Sequence, residues 1–275
     1  MRNLIYIAAA LLMLAPSLRA QPCVGAPPAA TASASAMRFD VVSIKRNETD
    51  HMGPAMVYSA PESDTMTLVN MSPHMMIGTA YGLPLHDQIV GLPSWTDAET
   101  YDMEGKISEE NAAAFRRLLP MQRNPILRSV LADRFHMTCH FETRTEAAYA
   151  LVVAKKGPKL TEVAARTLPN GLQDPGGIRT ARNAIVATAA PISLLLAELQ
   201  GRLGRPAIDR TGLSGRYTFR LNWTPDSPSA PNAPDADSGP SIFTALQEQL
   251  GLKLEATHAP VQVLVVDHIE RPTEN

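Results

Sequence analysis

The sequence predicts an α+β fold built as two similar lobes, each with helices packed on a small, mostly antiparallel sheet, and three observations carry that prediction. Residues 241–268 (SIFTALQEQLGLKLEATHAPVQVLVVDH) repeat the plan of 126–153 (ILRSVLADRFHMTCHFETRTEAAYALVV), so that a slide of 115 residues lays Leu127, Val130, Leu131 and Phe135 on Ile242, Ala245, Leu246 and Leu250. Within each stretch the apolar spacing changes from three and four residues to alternation, the change from a helix stripe to a strand. A second slide, of 118 residues, lays Pro73, Ile77 and Tyr81 on Pro191, Leu195 and Leu199. An internal repeat of this length implies two copies of one unit.

Taken in order, the chain opens with Arg2, the apolar run 4–18 and the tripeptide Leu18-Arg19-Ala20, the pattern of a signal peptide over 1–20 cleaved after Ala20. The run is too short for a comfortable membrane span, so no stable span is expected once the signal is removed, with an uncleaved N-terminal anchor as the alternative. Residues 21–37 are rich in Ala, Pro and Ser without apolar periodicity, and read as a disordered lead-in. A first lobe is expected over 38–160. It holds strands at 39–44 and 65–70, a helix capped by Ser72-Pro73 and ended by Gly82, strands at 88–91 and 100–107, an additional helix over 109–119, and the first repeat unit.

A connector over 161–183 leads to a second lobe over 184–275. There a short strand at 184–188 precedes a helix opened by Pro191 and ended by Gly204, Asp209 to Leu213 turn into a strand at 216–223, and 225–239 (PDSPSAPNAPDADSG) reads as a disordered loop. In both repeat units the helix is expected to cover a hairpin of its own: 136–141 against 148–153, and 252–257 against 261–266.

Composition narrows the function classes. The formal charge is −2 and no Lys/Arg cluster stands out, which argues against nucleic acid as a partner. Export makes a disulfide permissible, but Cys23 falls in the lead-in while Cys139 alternates with Met137 and Phe141 as a buried hydrophobe.

No Gly-Xaa-Ser-Xaa-Gly, His-Glu-Xaa-Xaa-His, Walker or dinucleotide motif occurs. Gly176-Gly177 reads as a loop, and Ser193 and Ser241 sit at or near helix starts, where capping and surface placement outweigh a nucleophilic role. Asp209, Arg210 and Thr211 precede a glycine turn that their own side chains would fix. His136 and His140, spaced to share a strand face, are one metal candidate. The run His51, Met52, Met56, Met66, Met71, His74, Met75 and Met76 is another, suited to Cu(I), with core packing the competing account. Neither set has the ligand spacing of a metal motif, so no catalytic, cofactor or metal residue is assigned.

The segments FDVVSIKRN at 39–47, YALVVAKKGPKL at 149–160, AIDRTGLSGRYTFRLNW at 207–223, LQEQLGLKLE at 246–255 and VLVVDHIERPTEN at 263–275 resemble the soil-associated family of exported bacterial proteins. That family's domain has no assigned function, and in some relatives it follows an integral-membrane metallopeptidase of the antibiotic-sensor type. The resemblance implies an envelope-facing module and supplies no catalytic residues. Residues 191–255 are also similar in helix and strand order to the short N-terminal domain of secretins and signalling TonB-dependent receptors, from which the loop at 225–239 departs.

The expected function is therefore that of an exported, non-catalytic envelope module, periplasmic or secreted. It binds an envelope protein or a small-molecule ligand in sensing or transport, without a cofactor. The alternatives are a cryptic hydrolase and a Met/His metal-handling protein.

Overall fold

Local signals in the chain start and stop the elements that frame the site. The computed structural model describes residues 23, 37–48, 53–60, 62–168, 173–224 and 239–273. The signal peptide, the lead-in apart from Cys23 and Met37, residues 225–238 of the predicted loop, and the pair His51 and Met52 lie outside the described residues.

The first half holds β1 (Phe39–Arg46), β2 (Met56–Tyr58), β3 (Thr65–Met71), α1 (Pro73–Tyr81), β4 (Ile89–Val90), α2 (Trp95–Ala98), β5 (Tyr101–Ile107), α3 (Glu109–Arg117), α4 (Pro120–Arg123), α5 (Leu127–Arg134) and β6 (Thr138–Val153). The second half holds β7 (Thr161–Val163), β8 (Gly177–Ala181), β9 (Ala184–Pro191), α6 (Ile192–Leu203), β10 (Ala207–Asp209), β11 (Arg216–Asn222), α7 (Ile242–Ala245), which runs into a π-helical turn over Leu246–Leu250, and β12 (Leu252–His268). The Ser72 hydroxyl caps α1 by accepting from the Met75 amide at 3.2 Å, and Gly82 closes it in the left-handed conformation. Asn124, Pro125 and Ile126 form a separate 3-10 turn before α5.

These elements build the predicted α+β fold. One sheet has the order β1-β5-β3-β2, a second β7-β11-β9-β8, and a third, β10-β6-β12-β4, runs between them. The first two orders coincide when each strand of the first half is matched to its counterpart in the second. The third maps onto itself when β6 exchanges with β12 and β4 with β10, a pattern compatible with two copies of one unit. Residues 161–163 and 177–181, in the stretch read as a connector, supply both edge strands of the second sheet.

The expected hairpins do not form. Instead β6 and β12 each run on as a single long strand and pair antiparallel with each other, from Leu252 opposite Val153 to His268 opposite Thr138. Thr145 faces Pro260, the residue 115 positions later, a register compatible with a local two-fold relation between the two halves.

The cause lies in the middle of each strand. Residues 142–147 (ETRTEA) and 256–260 (ATHAP) contain no Gly or Asn and no residue with positive φ, so neither supplies the two-residue turn that a tight hairpin requires. Gln262 donates to the Thr143 hydroxyl across the ladder at 2.8 Å and holds the register there. Pro260 is accommodated because β12 has only β6 beside it at that point, β4 covering just Leu264 and Val265.

Each long strand thereby serves both cores. The first core combines Leu127, Val130, Leu131 and Phe135 of its own helix segment with Cys139 at the start of β6 and Leu264 and Val266 at the end of β12. The second combines Ile242, Ala245, Leu246 and Leu250 with Leu252 and Leu254 at the start of β12 and Leu151 at the end of β6. Among the described residues no helix is long and apolar enough to cross a membrane.

Cys139 is buried as expected but is not free: it is disulfide-bonded to Cys23, with the Cα atoms 4.6 Å apart. Spacing along the chain did not suggest this pair, because 116 residues separate its members and only the packing of the first core brings them together.

Candidate functional site

The N-terminal turn of α1 places His74 at the second helical position, directed inward and only 6% exposed. The chain after Gly82 returns across this helix to His86, and α2, anchored by buried Thr96 whose hydroxyl donates to the Pro93 carbonyl at 2.7 Å, presents Asp97. The His74 and His86 ring centroids lie 3.8 Å apart. Asp97 Oδ1 lies 2.9 Å from His74 Nδ1 and 3.3 Å from His86 Nε2.

Close as Asp97 is, it lies off the direction a ring N–H would take, and neither ring nitrogen of His74 makes a hydrogen bond. Burial, followed by repulsion from His86, holds the His74 imidazole below its ordinary pKa of 6.5, with Asp97 opposing the shift. Among the described residues, His74, His86 and Asp97 are the group of His, Cys, Asp or Glu side chains close enough to hold one metal ion, with ligand atoms within 4.8 Å of one another.

These three side chains border a cavity of about 520 Å³ whose walls include Met75, Gly78, Leu83, Met121 and Ala197. The first half supplies almost the whole lining, Thr79 of α1 included, and the second half reaches the cavity through Ala197 of α6, the position 118 residues after Thr79. Gly78 keeps one wall close: a Cβ there would come within 3.1 Å of the Leu83 carbonyl oxygen.

The metal candidates read from the sequence fare differently. His136 is not on the strand: it adopts a φ of 48° in the turn between α5 and β6, where the Met137 amide donates to the Leu131 carbonyl, and it does not share a face with His140. His140 is held by Asp267 at 3.0 Å and Glu142 at 3.3 Å, which raise its pKa. Of the sulfur-rich run, Met66, Met71 and Met76 are core residues and Met56 lies exposed on β2, while His74 and Met75 reach the cavity.

The polar turn behaves as its local chemistry implies. Asp209 Oδ1 accepts from the Thr211 amide at 2.8 Å and the Thr211 hydroxyl at 2.7 Å, and the Leu213 amide donates to Thr211 Oγ1 at 3.1 Å. Ser241 caps α7 by accepting from the Thr244 amide. Sequence reasoning missed His86 and Asp97, which follow His74 by 12 and 23 residues, because that spacing matches no ligand motif and depends on how the chain returns across α1.

The family described as "Protein of unknown function (DUF3738)" matches residues 74–269, well over half of the chain. The chain belongs to this family. The matched region begins at His74 and takes in His86, Asp97, both long strands and every element of the second half. No curated protein and no solved structure matches the chain.

Proposed function

We propose that this DUF3738 protein is an exported binding module that takes a small, largely apolar ligand into the cavity beside α1, in sensing or transport. The cavity carries the proposal: about 520 Å³ lies within the range of pockets that enclose small molecules, and its Met, Leu and Ala walls meet a polar end formed by His74, His86 and Asp97. Among the described residues lining it there is no serine or cysteine, which favours a binder over a hydrolase with such a nucleophile.

The Cys23–Cys139 bridge supports a periplasmic or secreted location, since disulfides persist in oxidising compartments. The N-terminal apolar run supports export in the same sense. The matching strand orders support a duplicated unit, with copies over 38–160 and 184–275, the second of which reaches the cavity through Ala197.

The test is a titration of the disulfide-intact protein, in chelator, with the apolar fluorophore N-phenylnaphthylamine. Saturable binding that Ala197→Trp abolishes, with the melting temperature unchanged, is the expected result. Absence of binding by the parent, or equal binding by Ala197→Trp, would overturn the reading.

A further inference from the structure

We propose that His74, His86 and Asp97 bind one divalent transition-metal ion of the zinc class, with a remaining coordination position open to the cavity. The proposal stands apart from the cavity's organic occupant and rests on three observations about the cluster itself.

Its composition comes first. Two imidazoles and one carboxylate, one each from α1, the turn at His86 and α2, form the three-ligand set that zinc takes when a fourth position is left for an exchangeable ligand. Hard cations such as Mg²⁺ prefer all-oxygen ligation and are disfavoured here.

The second observation is distance. A tetrahedral ion with bonds of about 2.0–2.1 Å separates its ligand atoms by roughly 3.3–3.4 Å. Asp97 Oδ1 stands 2.9 Å from His74 Nδ1 and 3.3 Å from His86 Nε2, and all three ligand atoms lie within 4.8 Å of one another, close to the spacing one ion requires.

The third is the unsatisfied state of His74. The buried imidazole has Asp97 Oδ1 2.9 Å from Nδ1 but no well-aligned hydrogen bond at either nitrogen, and a Lewis acid bound at one nitrogen would give it a directed partner. Core packing alone accounts for the ring's burial but not for a second imidazole and a carboxylate converging on it. All three side chains border the cavity, which leaves the open position facing it.

The experiment uses the disulfide-intact protein stripped with chelator and titrated with zinc chloride by calorimetry, with cobalt chloride as a spectroscopic probe. The expected result has four parts: one zinc per chain, a raised melting temperature, no response to magnesium, and the intense visible absorption of four-coordinate Co(II). His86→Ala and Asp97→Asn, both at exposed positions, should each weaken zinc by at least the roughly 10–100-fold that loss of an outer-shell partner costs. His140→Ala, at the other His-carboxylate cluster, should bind as the parent does.

Failure of the parent to take up zinc overturns the proposal, as does undiminished binding by both variants. Were a variant to misfold, the parent's cobalt spectrum alone would decide, since weak six-coordinate bands would mean that the site is not built as proposed.

Discussion

The exchange of strands between the cores makes a prediction that distinguishes it from two self-contained hairpins. Leu151 lies on β6, in the first half of the sequence, yet is completely buried in the second core, opposite Leu254 and clustered with Leu246 and Leu252. Leu264 is the reciprocal case, on β12 but completely buried in the first core. With neighbours from two strands and a helix around it, the space left by Leu151→Ala collapses poorly, so the cost belongs in the upper part of the buried-leucine range, about 3–5 kcal/mol. At about 2–4 °C per kcal/mol for a chain of this size, the melting temperature falls by roughly 6–20 °C.

Each core carries its own reporter, because Trp223 is buried in the second and Trp95 packs against the first. Fluorescence melts of single-tryptophan variants, Trp95→Phe and Trp223→Phe, therefore read the two cores separately. Leu151→Ala should lower the transition seen by Trp223, and Leu264→Ala the one seen by Trp95, whether or not the other transition follows. If Leu151→Ala lowered the Trp95 transition and left that of Trp223 unmoved, strand exchange would be refuted.

Three further outcomes are expected. Leu131→Ala and Leu246→Ala, positions 115 residues apart that are 1% and 0% exposed, should each cost about 2–5 kcal/mol in denaturant unfolding, while Glu248→Ala stays within about 0.5 kcal/mol and Asp133→Ala, which loses only an exposed pair with Arg38, within about 1 kcal/mol. One costly and one silent leucine would break the equivalence of the two helices. Cys23→Ser should destabilise the protein by about 2–5 kcal/mol, and reductant should lower the parent's melting temperature but not the variant's. Arg271→Ala should lower the melting temperature at neutral pH, because Arg271 holds the Glu99 carboxylate through contacts of 2.8 and 3.1 Å and keeps its pKa below the ordinary 4.5. A depressed carboxylate pKa contributes stability that is full above the ordinary value and lost as pH falls through the depressed one, so parent and variant melts should converge in acid; a gap that persisted there would assign the effect to Arg271 packing over Trp95 instead.

The sequence by itself determined the features whose causes are local. Ser72-Pro73 and Gly82 bound a helix because a cap needs only neighbours within a few residues, and Asp209 and Thr211 close a turn through their own side chains. Leu131 and Leu246 could be placed in cores because helical periodicity records which face is buried. The α+β class followed from the same periodicities.

Only the tertiary structure decided which segments meet. An alternating strand shows the same pattern whether it folds back on itself or runs on to pair with a segment 115 residues away, so the hairpins and the long β6–β12 ribbon are indistinguishable along the chain. The same holds for Cys23 with Cys139, and for His74 with His86 and Asp97. Each group is assembled by packing between segments distant in sequence, which leaves no periodic mark on the residues it joins.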